Sequence, residues 1–146
     1  SPREAGLLLK FCVSQTIQPS EVVYQVGAPS QDLFILLQGL LKVVGKSGTA
    51  LGEILPGTCC GEMGVFTGLP RTATIVASQK SVGFSITKQD LQKALQSDPN
   101  MHIKVLQNVI VLLTERLTAA GGQIEDLAGK LRQAKDESGQ GSYLEI

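Results

Sequence analysis

The stretch that decides how this chain folds is Gly61-Glu62-Met63-Gly64-Val65-Phe66-Thr67-Gly68-Leu69-Pro70-Arg71-Thr72-Ala73-Thr74-Ile75. Glu62 and Arg71 are its two charged residues, and the rest is apolar, glycine-rich or hydroxyl-bearing. A charge buried in such surroundings costs too much free energy to be retained without a partner. We therefore expect Glu62 and Arg71 either to pair with each other or to bind a ligand that pairs with both.

Around this stretch, from Glu21 to about Ile86, short β-rich runs alternate with glycines. The predicted strands are residues 22–26, 33–37, 40–44, 51–55, 72–77 and 81–86. Gln38-Gly39 lies between the second and third runs, which predicts a hairpin there. Strands that recur every 8 to 12 residues or so, with turn glycines between them, are typical of a sandwich or roll. The sequence therefore predicts a mainly β fold, a double-stranded β-roll (jelly roll) over residues 17–86.

Helical patterns flank the predicted roll on both sides. Residues 4–12 form a short apolar run that predicts a leading helix. Thr87 followed by Asp90 is typical of an N-cap, and Pro99 stands where a proline is tolerated at the start of another helix. We expect helices over residues 87–136, one domain over residues 1–136, and a disordered tail over 137–146.

A regular apolar seam runs along the last predicted helix. Its members follow 3-4-3-4 spacing: Ile103, Leu106, Ile110, Leu113, Leu117, Ala120, Ile124, Leu127, Leu131 and Ala134. Four unbroken heptads predict a coiled coil, and a parallel homodimer through Ile103–Ala134 is its simplest form. For residues 103–113, packing on the chain's own roll remains an equal alternative, because further valines and leucines widen the apolar face there. Gly121-Gly122 interrupts the pattern and weakens the helix by about 2 kcal/mol.

The composition of the chain limits the kinds of partner that we expect it to bind. Thirteen basic and thirteen acidic residues cancel within 146 residues, so no long-range field collects nucleic acid or anionic membrane. No apolar stretch approaches the roughly 20 residues that a membrane-spanning helix needs. The first residues lack a basic and apolar leader, so we expect a cytoplasmic protein or a piece of one.

Few residues offer catalytic or metal-binding chemistry. The cysteines are Cys12, Cys59 and Cys60, and His102 is the single histidine. An odd cysteine count with two adjacent members suits neither a disulfide framework nor a four-ligand metal site. We expect the cysteines to be small core residues and the protein to have no catalytic or metal site.

The letters GE-M-G followed by P-R-T-A-T closely resemble the phosphate-binding cassette of cyclic nucleotide-binding domains. That family includes regulatory subunits of cyclic-nucleotide-dependent kinases, gated channels and the catabolite activator protein family, and the resemblance extends over about residues 15–120. It implies a ligand site formed by Gly61, Glu62, Met63, Gly64, Arg71, Thr72 and Ala73.

The residue chemistry is consistent with that site. The Arg71 guanidinium suits the singly charged phosphate of a 3′,5′-cyclic nucleotide, and Glu62 suits the free 2′-hydroxyl. Backbone N–H groups from Gly61 to Gly64, at a short helical turn, form an anion site that glycine makes accessible. Thr72 resembles the threonine that cGMP-preferring members use, although its hydroxyl also suits phosphate. Prevalence favours cAMP over cGMP as ligand.

We expect a non-catalytic cyclic nucleotide receptor whose ligand repositions the C-terminal helix. Two alternatives remain: a truncated transcription regulator of the catabolite activator type, and a dimerisation module with a degenerate pocket. The first requires a helix-turn-helix after the long helix, and no basic excess beyond Asn100 supports it. An internal Glu62–Arg71 ion pair is the simplest alternative to a ligand site.

Overall fold

A computed structural model describes residues 1–140 as eight strands and four helices. In chain order these are α1 (Pro2–Leu9), β1 (Val13–Ile17), β2 (Val22–Tyr24), β3 (Asp32–Gln38), β4 (Leu41–Val44), β5 (Ala50–Ile54), β6 (Cys59–Cys60), α2 (Glu62–Thr67), β7 (Thr74–Ala77), β8 (Ser81–Thr87), α3 (Lys88–Ser97) and α4 (Pro99–Gln140). The strands form two antiparallel four-stranded sheets, ordered β1-β8-β3-β6 and β2-β7-β4-β5. The predicted β-roll with flanking helices is confirmed.

The predicted hairpin at Gln38-Gly39 is wrong. β3 pairs with β8 and β6, whereas β4 pairs with β5 and β7, so this corner carries the chain from one sheet to the other. Gly39 has a φ of +104°, and a Cβ there would lie 2.6 Å from the Cα of buried Ser81. The glycine is therefore needed for close backbone approach at a sheet-to-sheet corner rather than for a two-strand turn.

The core lies between the sheets. Phe34, Leu36 and Leu41 are almost wholly buried at its centre. Its other members are Ile17, Tyr24, Ile54, Cys60, Ile75 and Ala77. Cys60 is thus the small core residue that the sequence predicted, while Cys12 and Cys59 are only partly buried. Two strands escaped prediction: β1 because only Ile17 of its five residues is buried, and β6 because it has two residues.

Capping explains where the helices begin. The Thr87 hydroxyl accepts from the Asp90 backbone N–H at 3.1 Å, which confirms the predicted N-cap of α3. Pro99 is the first residue of α4, as predicted, and the Asp98 carboxylate accepts from the Met101 N–H at 3.1 Å. Leu91, Ala94 and Leu95 form the buried face of α3.

The chain divides into two compact units, Ser1–His102 and the segment from Ile103 onward. α4 continues through Gly121-Gly122 and ends at Gln140, so it includes residues 137–140 of the segment expected to be a disordered tail. Residues 141–146 of that predicted tail lie outside the described residues. Within residues 1–140, no helix has both the length and the apolar character required to cross a bilayer.

Gly83 offers a test of this packing. It lies in β8 opposite Leu36, and a Cβ there would collide with the Ile35 carbonyl oxygen and lie 2.5 Å from Phe34 Cζ. We expect Gly83→Ala to lower the free energy of unfolding by about 1–3 kcal/mol, as overpacking does in other cores. Urea titration monitored by circular dichroism measures the difference. The control is Gly52→Ala in β5, which meets nothing within 4 Å and should be nearly neutral; equal stability of the two variants would contradict this packing.

Candidate functional site

Arg71 is fixed through its backbone just before β7. Its N–H donates to the Ala28 carbonyl at 2.9 Å, and its own carbonyl accepts from the Gly27 N–H at 2.8 Å. The Val26 N–H donates to the Thr74 hydroxyl at 3.1 Å and extends the same connection. The loop after β2 therefore fixes the backbone position of Arg71, from which its side chain extends.

The Arg71 guanidinium is buried and donates three hydrogen bonds to groups of the chain itself. Its Nη2 donates to Asp32 Oδ1 at 2.8 Å and to the Asp32 carbonyl at 2.7 Å, while Nη1 donates to the Gly61 carbonyl at 3.3 Å. The carboxylate that neutralises Arg71 is thus Asp32, 39 positions earlier in the chain. Neither of the two arrangements expected from the sequence, a Glu62 pair or a ligand alone, includes this partner.

Tyr24 contacts both members of the Arg71–Asp32 pair. The Arg71 Cζ lies 3.6 Å from the centroid of the Tyr24 ring, a cation–π contact. The Tyr24 hydroxyl lies 3.3 Å from both the Asp32 carbonyl and Oδ2, to which it donates. Burial, followed by the negative charge of neighbouring groups, raises the pKa of Tyr24 far above its ordinary value, so the hydroxyl remains a donor at alkaline pH as well as at neutral pH.

Gly61 and Gly64, the two glycines among the predicted site residues, are explained by packing within the chain. Gly61 is the N-cap of α2 with a φ of +90°, and a Cβ there would lie 2.6 Å from Arg71 Nη1 and 3.0 Å from the Tyr24 ring. A Cβ on Gly64 would collide with Ser30, whose hydroxyl donates to the Leu69 carbonyl at 2.8 Å. The unusual backbone angle predicted at Gly61 is present, whereas Gly64 is helical and small for steric reasons.

The remaining predicted site residues lie on either side of this cluster. Glu62 begins α2 and is only 1% exposed, with its Oε2 4.0 Å from Cys59 Sγ. Met63 is exposed, Thr72 is exposed, and Ala73 is half-buried between Arg71 and β7. Glu62, at the start of α2, and Arg71, before β7, are therefore both buried.

Three residues of this site were not found from the sequence: Tyr24, Ser30 and Asp32. Asp32 carries the one available signal, since it is an acidic residue at the very start of an otherwise apolar run. Nothing in the local pattern of Tyr24 or Ser30 distinguishes them from ordinary strand and loop residues. Their roles come from contacts with residues distant in the sequence: Ser30 donates to the Leu69 carbonyl, 39 positions later, and the Tyr24 ring packs against Arg71.

A cavity of about 290 Å³ adjoins the pair on the side of β2. Tyr24, Asp32, Phe34 and Arg71 contribute to its lining, and Arg71 is the one predicted site residue among them. Within residues 1–140, no group of three or more His, Cys, Asp or Glu side chains is placed to hold a metal ion. The chemistry of the site is therefore that of one guanidinium, two carboxylates and the backbone of the α2 start.

Comparison with known proteins agrees with this architecture. The cyclic nucleotide-binding domain model matches residues 14–98. Glutaminase 1 of Bradyrhizobium diazoefficiens is 25% identical over 127 residues, which cover 87% of this chain and 21% of the glutaminase. Cyclic nucleotide-gated channel alpha-2 of Oryctolagus cuniculus is 29% identical over 147 aligned positions, covering 89% of this chain and 22% of the channel.

A solved structure shows the same fold. The crystal structure of a cyclic nucleotide-binding domain from Methylobacillus flagellatus has a TM-score of 0.81 and 25% identity, and covers 86% of this chain and 73% of that one. The chain spans about a fifth of the length of the curated glutaminases that it matches. The family model covers more than half of the chain, including strands of both sheets and the cassette, and the chain therefore belongs to the cyclic nucleotide-binding domain family.

Proposed function

We propose that this chain is a non-catalytic regulatory domain that binds a 3′,5′-cyclic nucleotide at Gly61, Glu62, Met63, Gly64, Arg71, Thr72 and Ala73. The observation that carries the proposal is the buried Arg71 guanidinium, which donates to the carbonyl of Gly61, the residue directly before buried Glu62. Buried charges are costly in a small domain, and a cyclic nucleotide offers an anionic phosphate to the guanidinium and a hydroxyl donor to the carboxylate.

The phosphate interacts with Arg71 in this proposal. Three hydrogen bonds to Asp32 and Gly61 use part of the five-donor capacity of the guanidinium. Its planar fork suits two phosphate oxygens, which a lysine ammonium matches less well. The N–H groups after Gly61, and those of Thr72 and Ala73, add donors on either side of the anion.

The ribose and the base contact other residues. Glu62 accepts a hydrogen bond from the 2′-hydroxyl, which distinguishes a ribonucleotide from its deoxy analogue. We favour cAMP over cGMP as ligand, with cGMP as the alternative because the exposed Thr72 hydroxyl follows Arg71 directly. Ligand binding shifts the population toward states in which α4 is repositioned.

A homodimer through Ile103–Ala134 is part of the proposal. Apolar seam residues of α4 are exposed in the single chain, with Leu117 76% exposed. Ile103, Ile110 and Ile124 alternate with Leu106, Leu113 and Leu127, a combination that favours two parallel strands in coiled coils. A second copy of the helix supplies the burial that these side chains lack.

Two other functions retain some support. A transcription regulator of the catabolite activator type requires a DNA-binding element in addition to the residues described. A dimerisation module with a degenerate pocket requires that Arg71 be satisfied by the chain itself, and the Asp32 pair satisfies part of it. Ligand titration separates the proposed receptor from this second alternative.

Isothermal titration with cAMP and cGMP tests the ligand site. We expect saturable binding by the wild type and a loss of roughly a hundredfold or more in Arg71→Ala, because removing one partner of a buried charge pair costs about 3–5 kcal/mol. Arg132→Ala on the exposed surface of α4 is the matched control and should bind as the wild type does.

Two results contradict the proposal in different ways. Absence of heat and of thermal shift with the wild type at millimolar ligand would favour the degenerate module. Unchanged affinity of folded Arg71→Ala would show that the ligand binds without the guanidinium.

Light scattering tests the dimer. Leu117→Asp places a charge in the apolar seam, and we expect it to convert a dimer into a monomer because a desolvated carboxylate there has no partner. Thr118→Asp is the control, since it introduces the same charge at the neighbouring exposed position outside the seam. A dimer that survives Leu117→Asp would show that α4 associates through another face or not at all.

A further inference from the structure

The charge of the site is dominated by carboxylates before any ligand arrives. Arg71 carries one positive charge, Asp32 pairs with it directly, and Glu62 is buried at the start of α2. With both carboxylates ionised these three groups sum to one negative charge. A ligand phosphate adds another negative charge, so its attraction to Arg71 is opposed by charges that the chain already holds.

Asp32 and Arg71 differ in how they contact water. The Arg71 side chain is 5% exposed, whereas the Asp32 side chain is 33% exposed and borders the cavity of about 290 Å³. If the pair separates, the carboxylate can be hydrated in that cavity, while the guanidinium cannot reach solvent to the same extent. The pair is therefore more readily broken by an anion that replaces Asp32 than by hydration of Arg71.

Arg71 has contacts that orient it besides the one with the Asp32 carboxylate. Its Nη2 also donates to the Asp32 backbone carbonyl at 2.7 Å, and its Nη1 to the Gly61 carbonyl at 3.3 Å. The Tyr24 ring lies against its face at 3.6 Å. Two carbonyls and one ring thus orient the guanidinium, and the carboxylate contributes charge in addition to orientation.

From these contacts we infer that the Asp32 carboxylate is an internal competitor of the ligand phosphate for Arg71 and sets the affinity of the site. The inference rests on the proposed function. Asp32 holds the guanidinium in the ligand-free chain, and ligand binding displaces its carboxylate toward the cavity or forces two anions onto one cation. In either case the domain binds a cyclic nucleotide more weakly than the same site would without this charge.

Asp32→Asn separates competition from positioning. The amide keeps the size of the side chain and an oxygen that accepts from Arg71 Nη2, but it removes the negative charge. Competition predicts tighter binding of cAMP by about tenfold, the order expected when one like charge is removed from a partly buried site. Positioning alone predicts equal or weaker binding, because the amide oxygen can still accept from the guanidinium but forms a weaker hydrogen bond than a carboxylate does.

Three further variants complete the test by isothermal titration with cAMP and cGMP. Asp32→Glu keeps the charge and should not bind more tightly than the wild type. Asp136→Asn makes the same change of net charge on the exposed part of α4 and should leave affinity unchanged. Tyr24→Phe keeps the ring over Arg71 but removes the hydroxyl that holds Asp32 Oδ2, so we expect a smaller gain of about two- to threefold.

The outcomes are distinct. Tighter binding by Asp32→Asn, or binding by this variant where the wild type shows none, supports the inference. Equal or weaker binding by folded Asp32→Asn, with a wild type that binds, overturns the inference and leaves the proposed receptor function intact. If Asp32→Asn does not fold, tighter binding by Tyr24→Phe supports the inference, and equal or weaker binding by Tyr24→Phe overturns it. Absence of binding in the wild type and in every variant overturns the receptor function and the inference together.

Discussion

A buried guanidinium that must be neutralised and held is the constraint on which this site depends. Arg71 has little access to solvent where it lies, and the fold supplies a carboxylate, two carbonyls and an aromatic face for it. These groups come from β2, from the start of β3 and from the residue before α2. One side chain therefore determines how three separate segments meet.

Gly61 follows from the same constraint, whereas Gly64 follows from a separate contact with Ser30. Gly61 must be small because Arg71 Nη1, the Asp32 carbonyl and the Tyr24 ring leave no room for a Cβ. Gly64 must be small because Ser30 packs against it while its hydroxyl holds the Leu69 carbonyl. Glycine in this cassette thus permits the chain to close on itself, and this role is present whether or not a phosphate approaches.

Local chemistry was predictable from the sequence, and long-range pairing was not. The Thr87 cap, the helix start at Pro99 and the β-roll follow from patterns within a few residues. The partner of Arg71 did not, because Asp32 is 39 positions away and its strand differs little from any other apolar run. The hairpin predicted at Gly39 was wrong for a related reason, because a glycine after a strand occurs both in hairpins and where the chain crosses from one sheet to the other.

The position of the Arg71–Asp32 pair also bears on how a ligand signal can spread. Asp32 begins β3 in one sheet, Tyr24 ends β2 in the other, and Gly61 is the N-cap of α2. A change in what Arg71 binds therefore acts on both sheets and on α2 at once. A ligand shifts the equilibrium only by its difference in affinity for the two states. In the proposed receptor, a guanidinium that exchanged an internal carboxylate for a phosphate would provide such a difference, because the two states would then differ in one ion pair rather than in overall packing.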